Sequence, residues 1–274
     1  MHPRITGSTR IYGLIGTPLK SAKSPMLLNT LFTDAQVDAV CIPLEVGSAN
    51  LAEFVRGMRF VSNLAGLLIT MPHKQSMLDV VDDLHSTTQQ IGAINVVRCH
   101  PNGRWEGAVF DGLGCVLGMQ RQGVSLLGKS VLLVGAGGSG SAIAFAVAAA
   151  GARVLTLSDL DPHRSLDLAQ RVAKQGGCAV HAGSADPKGH DIVINATPLG
   201  MSSDDPMPID AERLTSTTVV VDIITRSEPT ALLLKAQSHG CQTLDGQPMH
   251  VGQALLTLSF LGFEDIALRY PSGL

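Results

Sequence analysis

The chain has 274 residues, of which 45% are hydrophobic, 16% charged and 4% aromatic, with a formal net charge of -3. That is ample material for one large or two modest buried cores, while the scattered lysines and arginines leave no basic face for nucleic acid. No apolar run is long and unbroken enough to span a bilayer, and no apolar leader segment follows Met1-His2-Pro3-Arg4, so a protein of the reducing cytoplasm is expected.

In chain order, apolar strand-like runs occupy residues 11–15, 40–44, 64–70 and 94–97, separated by helix-like stretches. That alternation predicts an α/β first domain. From residue 131 onward, strands at 131–134, 153–158, 179–181, 191–195, 219–222 and 242–244 alternate with helical segments, as a doubly wound parallel sheet requires. Residues 201–209, rich in Ser, Asp and Pro, read as a surface excursion, and the helical run 249–260 returns to the first domain. The expected architecture is an N-terminal α/β substrate domain, residues 1–110 completed by helices in 247–274, and a C-terminal Rossmann domain, residues 111–246. The chemistry is expected in a cleft between them.

The second domain opens with its most specific signal. The apolar strand 131–134 ends in Gly135-Ala136-Gly137-Gly138-Ser139-Gly140, an Ala-rich helix follows, and the next strand ends at Asp159. This is the order of a dinucleotide site. Gly135 permits the tight turn, Gly137 lets the backbone approach a pyrophosphate, and Gly140 lets helix and strand pack closely. The amides that begin the helix face the anion. Asp159 is placed to accept hydrogen bonds from ribose hydroxyls and to repel a 2′-phosphate, which favours NAD over NADP. Alternatively, Asp159 or Asp161 caps the helix beginning near Pro162. Arg164 leaves some room for NADP.

The five cysteines, Cys41, Cys99, Cys115, Cys178 and Cys241, are odd in number and contain no Cys-x-x-Cys pair, against both a disulfide framework and a thiolate zinc site. The nine histidines include no His-Glu-x-x-His and no close pair, so no metal is expected.

Six spaced segments share one explanation: residues 16–25, 69–74, 92–95, 111–114, 195–201 and 245–253. In this order they closely resemble the shikimate and quinate dehydrogenase family, across residues 13–262. The resemblance implies NAD(P)-dependent oxidation of a ring secondary alcohol to a ketone. It implies that Lys74 and Asp111 are catalytic, and chemistry agrees, since loss of hydride from an alcohol carbon needs a base for the hydroxyl proton. On sequence alone, Lys74 reads equally as an exposed lysine at a helix start and Asp111 as a helix N-cap.

The same resemblance places Ser24, Thr70, Asn95 and Gln253 at substrate-contacting positions, and Gly135, Ala136, Gly137, Gly138, Ser139, Gly140, Asp159, Thr197, Ile223 and Gly246 at the cofactor. Relatives that use NADP usually carry Asn-Arg-Thr where Ser158-Asp159-Leu160 stands here, so the arginine that clamps the phosphate is missing. Several polar substrate positions have also changed. The first of two serines before Pro25 is Ala22, with Ser21 adjacent as a substitute. The usual Asn before the Thr70 segment is Leu68, the usual Asn-Thr before Asp111 is Val109-Phe110, and a usual Tyr is Thr225. Each missing hydrogen-bond partner forfeits about 1–3 kcal/mol with a polar substrate. The expectation is an NAD-preferring oxidoreductase acting on shikimate, quinate or a related, less hydroxylated alicyclic hydroxy acid. The alternative is a nucleotide-responsive binding or regulatory module that has lost catalysis. Partners are a small hydroxy acid and, in a homodimer, a second copy; a monomer is equally compatible.

Overall fold

The computed structural model describes residues 5–20 and 22–268. Among the described residues two compact units emerge, one formed by those up to Phe110 together with 254–268, the other by Asp111–Gln253.

The first unit carries a six-stranded mixed sheet. Strands β1 (Arg10–Gly16), β2 (Ala39–Glu45) and β3 (Leu64–Ile69) run parallel, linked by α1 (Ser24–Asp34) and α2 (Leu51–Met58). After β4 (Asp83–Leu84) and α3 (Thr88–Ile91), β5 (Val96–Cys99) and β6 (Trp105–Ala108) add an antiparallel ribbon, giving the order β2-β1-β3-β5-β6-β4. Alternation along β1 builds a core on each face. Tyr12 and Leu14 join Leu28, Leu31 and Phe32 of α1 and Leu258, Phe260 and Phe263 near the C-terminus, while Ile15 faces Leu51 and Val55 of α2. The β6-β4 edge of this sheet is where the sequence reading falls short. Residues 83–84 and 105–108 are strands that periodicity did not reveal, because Gly107 and Glu106 interrupt the apolar pattern. Gly107 leaves room for the Ile94 side chain, whose Cδ1 would lie 2.5 Å from a Cβ built there.

The second unit begins with α4 (Asp111–Arg121) and continues through β7 (Ser130–Val134), α5 (Gly138–Ala149), β8 (Val154–Ser158), α6 (Pro162–Ala173), β9 (Ala179–Ala182), β10 (Ile192–Asn195), β11 (Val219–Asp222), α7 (Ala231–Ser238) and β12 (Gln242–Leu244). All six strands are parallel, in the order β12-β11-β10-β7-β8-β9. Strand order therefore reverses between β7 and β10, the topological switch point at which such sheets receive ligands. The last long helix, α8 (Gln247–Phe260), contains the division at Gln253/Ala254 and is followed by α9 (Glu264–Leu268). No helix among the described residues is long and apolar enough to cross a membrane.

Candidate functional site

At the switch point the glycine turn has the geometry its sequence requires. Gly135 sits at φ +104°, a conformation costly for any L side chain, and a Cβ there would lie 2.8 Å from the Ala196 carbonyl beyond β10. Gly140 is held against the carbonyl oxygen of Gly135, so a methyl at 140 would overlap it. Gly137 differs, because a Cβ built there meets nothing within 4 Å. The loop is thus tightly packed beneath and open on the side where a ligand would approach. Helix α5 starts at this loop, so its N-terminal end, the end of the helix dipole that favours an anion, stands at the glycine turn. Residues 142–148 of α5 are all buried and apolar, which fixes the position of its N-terminus.

Asp159, immediately after β8, uses both carboxylate oxygens on nearby backbone. Oδ2 accepts from the Ala136 amide at 2.7 Å and Oδ1 from the Asp161 amide at 2.9 Å. The helix cap belongs to Asp161, whose Oδ1 accepts from His163 N at 3.0 Å. The two readings of these aspartates therefore separate. Asp161 caps α6, while Asp159 ties the strand end to the glycine loop and keeps acceptor capacity for hydroxyls.

Beside the loop, β10 and β11 end in a buried polar network that the sequence reading did not identify. Asn195 is fully buried. Its Oδ1 accepts from Thr197 N at 3.1 Å and Thr197 Oγ1 at 2.7 Å, and its Nδ2 donates to Leu199 O and to Asp222 Oδ1, both at 3.1 Å. Thr230 Oγ1 donates to Asp222 Oδ2 at 2.6 Å. Burial pushes the Asp222 carboxyl above its ordinary value, opposed by the bonds from Thr230, Ile224 N and Asn195. The available signal was a polar residue ending each of two otherwise apolar strands, Ile-Val-Ile-Asn and Val-Val-Val-Asp. The network pins the segment after β11, bringing Ile223 and Thr225 against Gly246. A Cβ on Gly246 would lie 2.6 Å from Thr225 Oγ1 and overlap the Ile223 carbonyl.

Asp111 begins α4 and is 1% exposed. Ser139 Oγ donates to its Oδ2 at 2.8 Å. Gly112, next in sequence, lies directly on the Ala142 carbonyl of α5. Gln253 packs its backbone on Gly114, where a Cβ would come within 2.6 Å of Gln253 N.

In the first unit the segments after β1 and β3 and before β5 are stitched together by main-chain bonds. Thr17 N donates to Met71 O at 2.9 Å, Thr70 N to Ile15 O at 3.0 Å, and Ile94 N to the Lys74 carbonyl at 2.7 Å. Asn95 is buried. Its carbonyl accepts from Ile69 N at 2.8 Å and its Oδ1 from Phe110 N at 3.1 Å, so it braces the residue before Asp111. His73, 1% exposed, bonds through Nε2 to Val46 O at 2.7 Å and anchors the turn that carries Lys74, a role its neighbours in sequence did not announce. Thr70, Lys74 and Asn95 are thus gathered in one place. Ser24 stands at the start of α1, and Ser21 lies outside the described residues. Leu68 and Phe110, at usually polar positions, are both buried in the same apolar cluster, where Phe110 packs edge-on to Phe260 with ring centres 5.6 Å apart.

Residues 14–97 match the family described as the shikimate dehydrogenase substrate binding domain. A shikimate dehydrogenase (NADP(+)) of Rubrobacter xylanophilus is 35% identical over 258 residues, spanning 92% of this chain and 90% of its own. The ligand-free 5-ketofructose reductase of Gluconobacter sp. strain CHM43 is 30% identical, with a TM-score of 0.83 over 95% of this chain and 97% of its own. Shikimate 5-dehydrogenase from Listeria monocytogenes, solved with shikimate and NAD, is 26% identical, with a TM-score of 0.86 over 98% and 99% of the two chains.

Proposed function

The chain belongs to the shikimate dehydrogenase family, and from that premise we propose that it transfers a hydride between a nicotinamide dinucleotide and the ring secondary alcohol of shikimate, quinate or a related alicyclic hydroxy acid. The observation that carries this reading is the cradle at the switch point, packed at Gly135 and Gly140, open at Gly137 and rimmed by the Asp159 carboxylate. These residues fit a dinucleotide: the amides opening α5 take the pyrophosphate, Asp159 the adenosine ribose, and Ile223, Thr197 and Gly246 border the nicotinamide. When bound, the nicotinamide supplies the hydride acceptor in the oxidising direction.

In that direction Lys74, as the free amine, accepts the hydroxyl proton while the carbinol carbon gives up its hydride. In the reducing direction the Lys74 ammonium returns the proton to the forming alkoxide. Asp111 stabilises that ammonium as it forms. Thr70, Asn95, Ser24, Thr225 and Gln253 hold the substrate's polar groups. The first unit is assigned chiefly to substrate and the second to cofactor.

NAD is the assigned dinucleotide, on the charge of Asp159. The name of the Rubrobacter relative specifies NADP(+), whereas the Listeria protein was solved with NAD. Leu68 and Phe110, sharing one apolar cluster, favour a substrate with fewer ring hydroxyls than shikimate. A silent binding module has no observation in its favour, since the relatives named above are dehydrogenases and a reductase.

The test is absorbance of the reduced nicotinamide, with NAD or NADP offered to the protein alongside shikimate, quinate and deoxygenated analogues. The reading requires turnover that is faster with NAD; absence of turnover on every alcohol refutes the activity, and a preference for NADP refutes the assignment of Asp159.

A further inference from the structure

The hydroxyl of Ser139 belongs to two places at once. Ser139 is the second residue of α5, within the turn assigned to the pyrophosphate, yet its Oγ donates at 2.8 Å to Oδ2 of Asp111, which lies 28 residues earlier in the chain. The backbone enforces this meeting. Gly112 rests on the Ala142 carbonyl with no room for a Cβ, so the first turn of α4 is pressed against α5 just beyond its opening turn. Asp111 is almost wholly buried, and a buried carboxylate requires hydrogen-bond donors to hold it in one orientation. A serine side chain has one rotatable bond between backbone and hydroxyl, so the position of the α5 turn is transmitted to the carboxylate with little slack.

We infer that Ser139 is a positioning residue which orients the Asp111 carboxylate through its hydroxyl, and so links the dinucleotide turn to the proton-transfer pair. The inference rests on the assignment of Asp111 to that pair. Two functions are thereby carried by separate atoms of one residue: the amide of Ser139 serves the cofactor and its hydroxyl serves Asp111. A residue acting only as part of the phosphate turn would need no side chain beyond the Cβ.

Ser139→Ala separates the two, because it removes the hydroxyl and leaves the amide. The experiment measures NAD dissociation constants by calorimetry together with kcat and KM for the best alcohol, in the parent, Ser139→Ala, Ser139→Thr and Asp111→Asn proteins. NAD affinity of Ser139→Ala should stay within about twofold of the parent, since backbone amides carry it. Its kcat should fall roughly tenfold or more, the consequence of losing a hydrogen bond to a charged group, with KM changing less. Ser139→Thr, which keeps a hydroxyl, should regain most of the lost rate. The inference is overturned if Ser139→Ala turns over like the parent, if its NAD affinity falls in step with kcat, or if the threonine variant is as slow as the alanine one. Asp111→Asn separates the layers: if it retains turnover, the underlying assignment fails, whereas if it abolishes turnover and Ser139→Ala has no effect, the role of Ser139 alone fails.

Discussion

Replacing Asp159 by asparagine changes one atom and one charge, and the structure indicates what each is worth. The two carboxylate oxygens accept one backbone amide each, from Ala136 at 2.7 Å and Asp161 at 2.9 Å. Asparagine has one oxygen, so its NH2 must face one of those amides, donor against donor. The amide left unsatisfied costs about 1 kcal/mol, the low end of the usual range, because the site is half exposed to water. For NAD the larger loss is the ionised acceptor for the ribose hydroxyls, about 1.5–3 kcal/mol, or roughly ten- to hundredfold in Kd. For NADP the sign reverses. A carboxylate about 5 Å from a doubly charged phosphate in a water-like dielectric repels it by about 1–2 kcal/mol, and removing that charge tightens binding by about tenfold. Calorimetric titration of both dinucleotides into parent and Asp159→Asn proteins at one fixed ionic strength should therefore show their affinity ratio moving toward NADP by roughly a hundredfold or more. A parent that already binds NADP more tightly, or a ratio that does not move, refutes the reasoning.

A pair of glycine substitutions should dissociate folding from binding. Gly140→Ala drives a methyl into the Gly135 carbonyl and should cost about 1–3 kcal/mol, a fall of roughly 2–10 °C in Tm by calorimetry, whereas Gly137→Ala should leave Tm unchanged and weaken dinucleotide binding, because its Cβ meets only open space. Thr230→Val removes the 2.6 Å donor from the buried Asp222 and should cost about 1–3 kcal/mol in denaturant unfolding. Since the Asp222 carboxyl is already raised in the fold, losing a donor to its charged form raises it further; the deficit of Thr230→Val should be smallest within and below the ordinary carboxylate range and grow as pH rises above that range, through the raised value of the folded carboxyl. Asp191 behaves oppositely. The Ser130 amide holds its carboxyl below the ordinary value, so its contribution is present above that value and lost as pH falls through the lowered one, and Asp191→Asn should flatten the acid limb of a stability-versus-pH curve.

What could be read from the chain before its fold was known was whatever is written locally. The central strands of the second unit, β7, β10 and β11, are runs of apolar residues bounded by turn residues, and two glycines of the loop announce steric needs that the structure shows, the tight turn at Gly135 and the close packing at Gly140. The β6-β4 edge of the first sheet was less visible because β4 has two residues and β6 carries Glu106 and Gly107, so pairing with neighbouring strands, rather than periodicity, makes them strands. The remaining gaps are contacts between distant residues. Nothing near Asp222 in sequence points to Asn195, nothing near Ser139 points to Asp111, and the choice between Asp159 and Asp161 as helix cap turns on which carboxylate reaches which amide. Leu68 and Phe110 stood out singly as changed positions, and only the fold places them in one apolar cluster.

Hydride transfer itself can be followed by labelling the carbinol carbon with deuterium in whichever alcohol of the panel reacts best, and recording the mass of the reduced dinucleotide formed by the parent protein and by Lys74→Ala. The expected result is that the deuteron from that carbon appears in the reduced cofactor of the parent, and that Lys74→Ala forms almost none while still binding NAD. Oxidation of the alcohol without label reaching the cofactor, or undiminished transfer in the absence of the Lys74 amine, would contradict it.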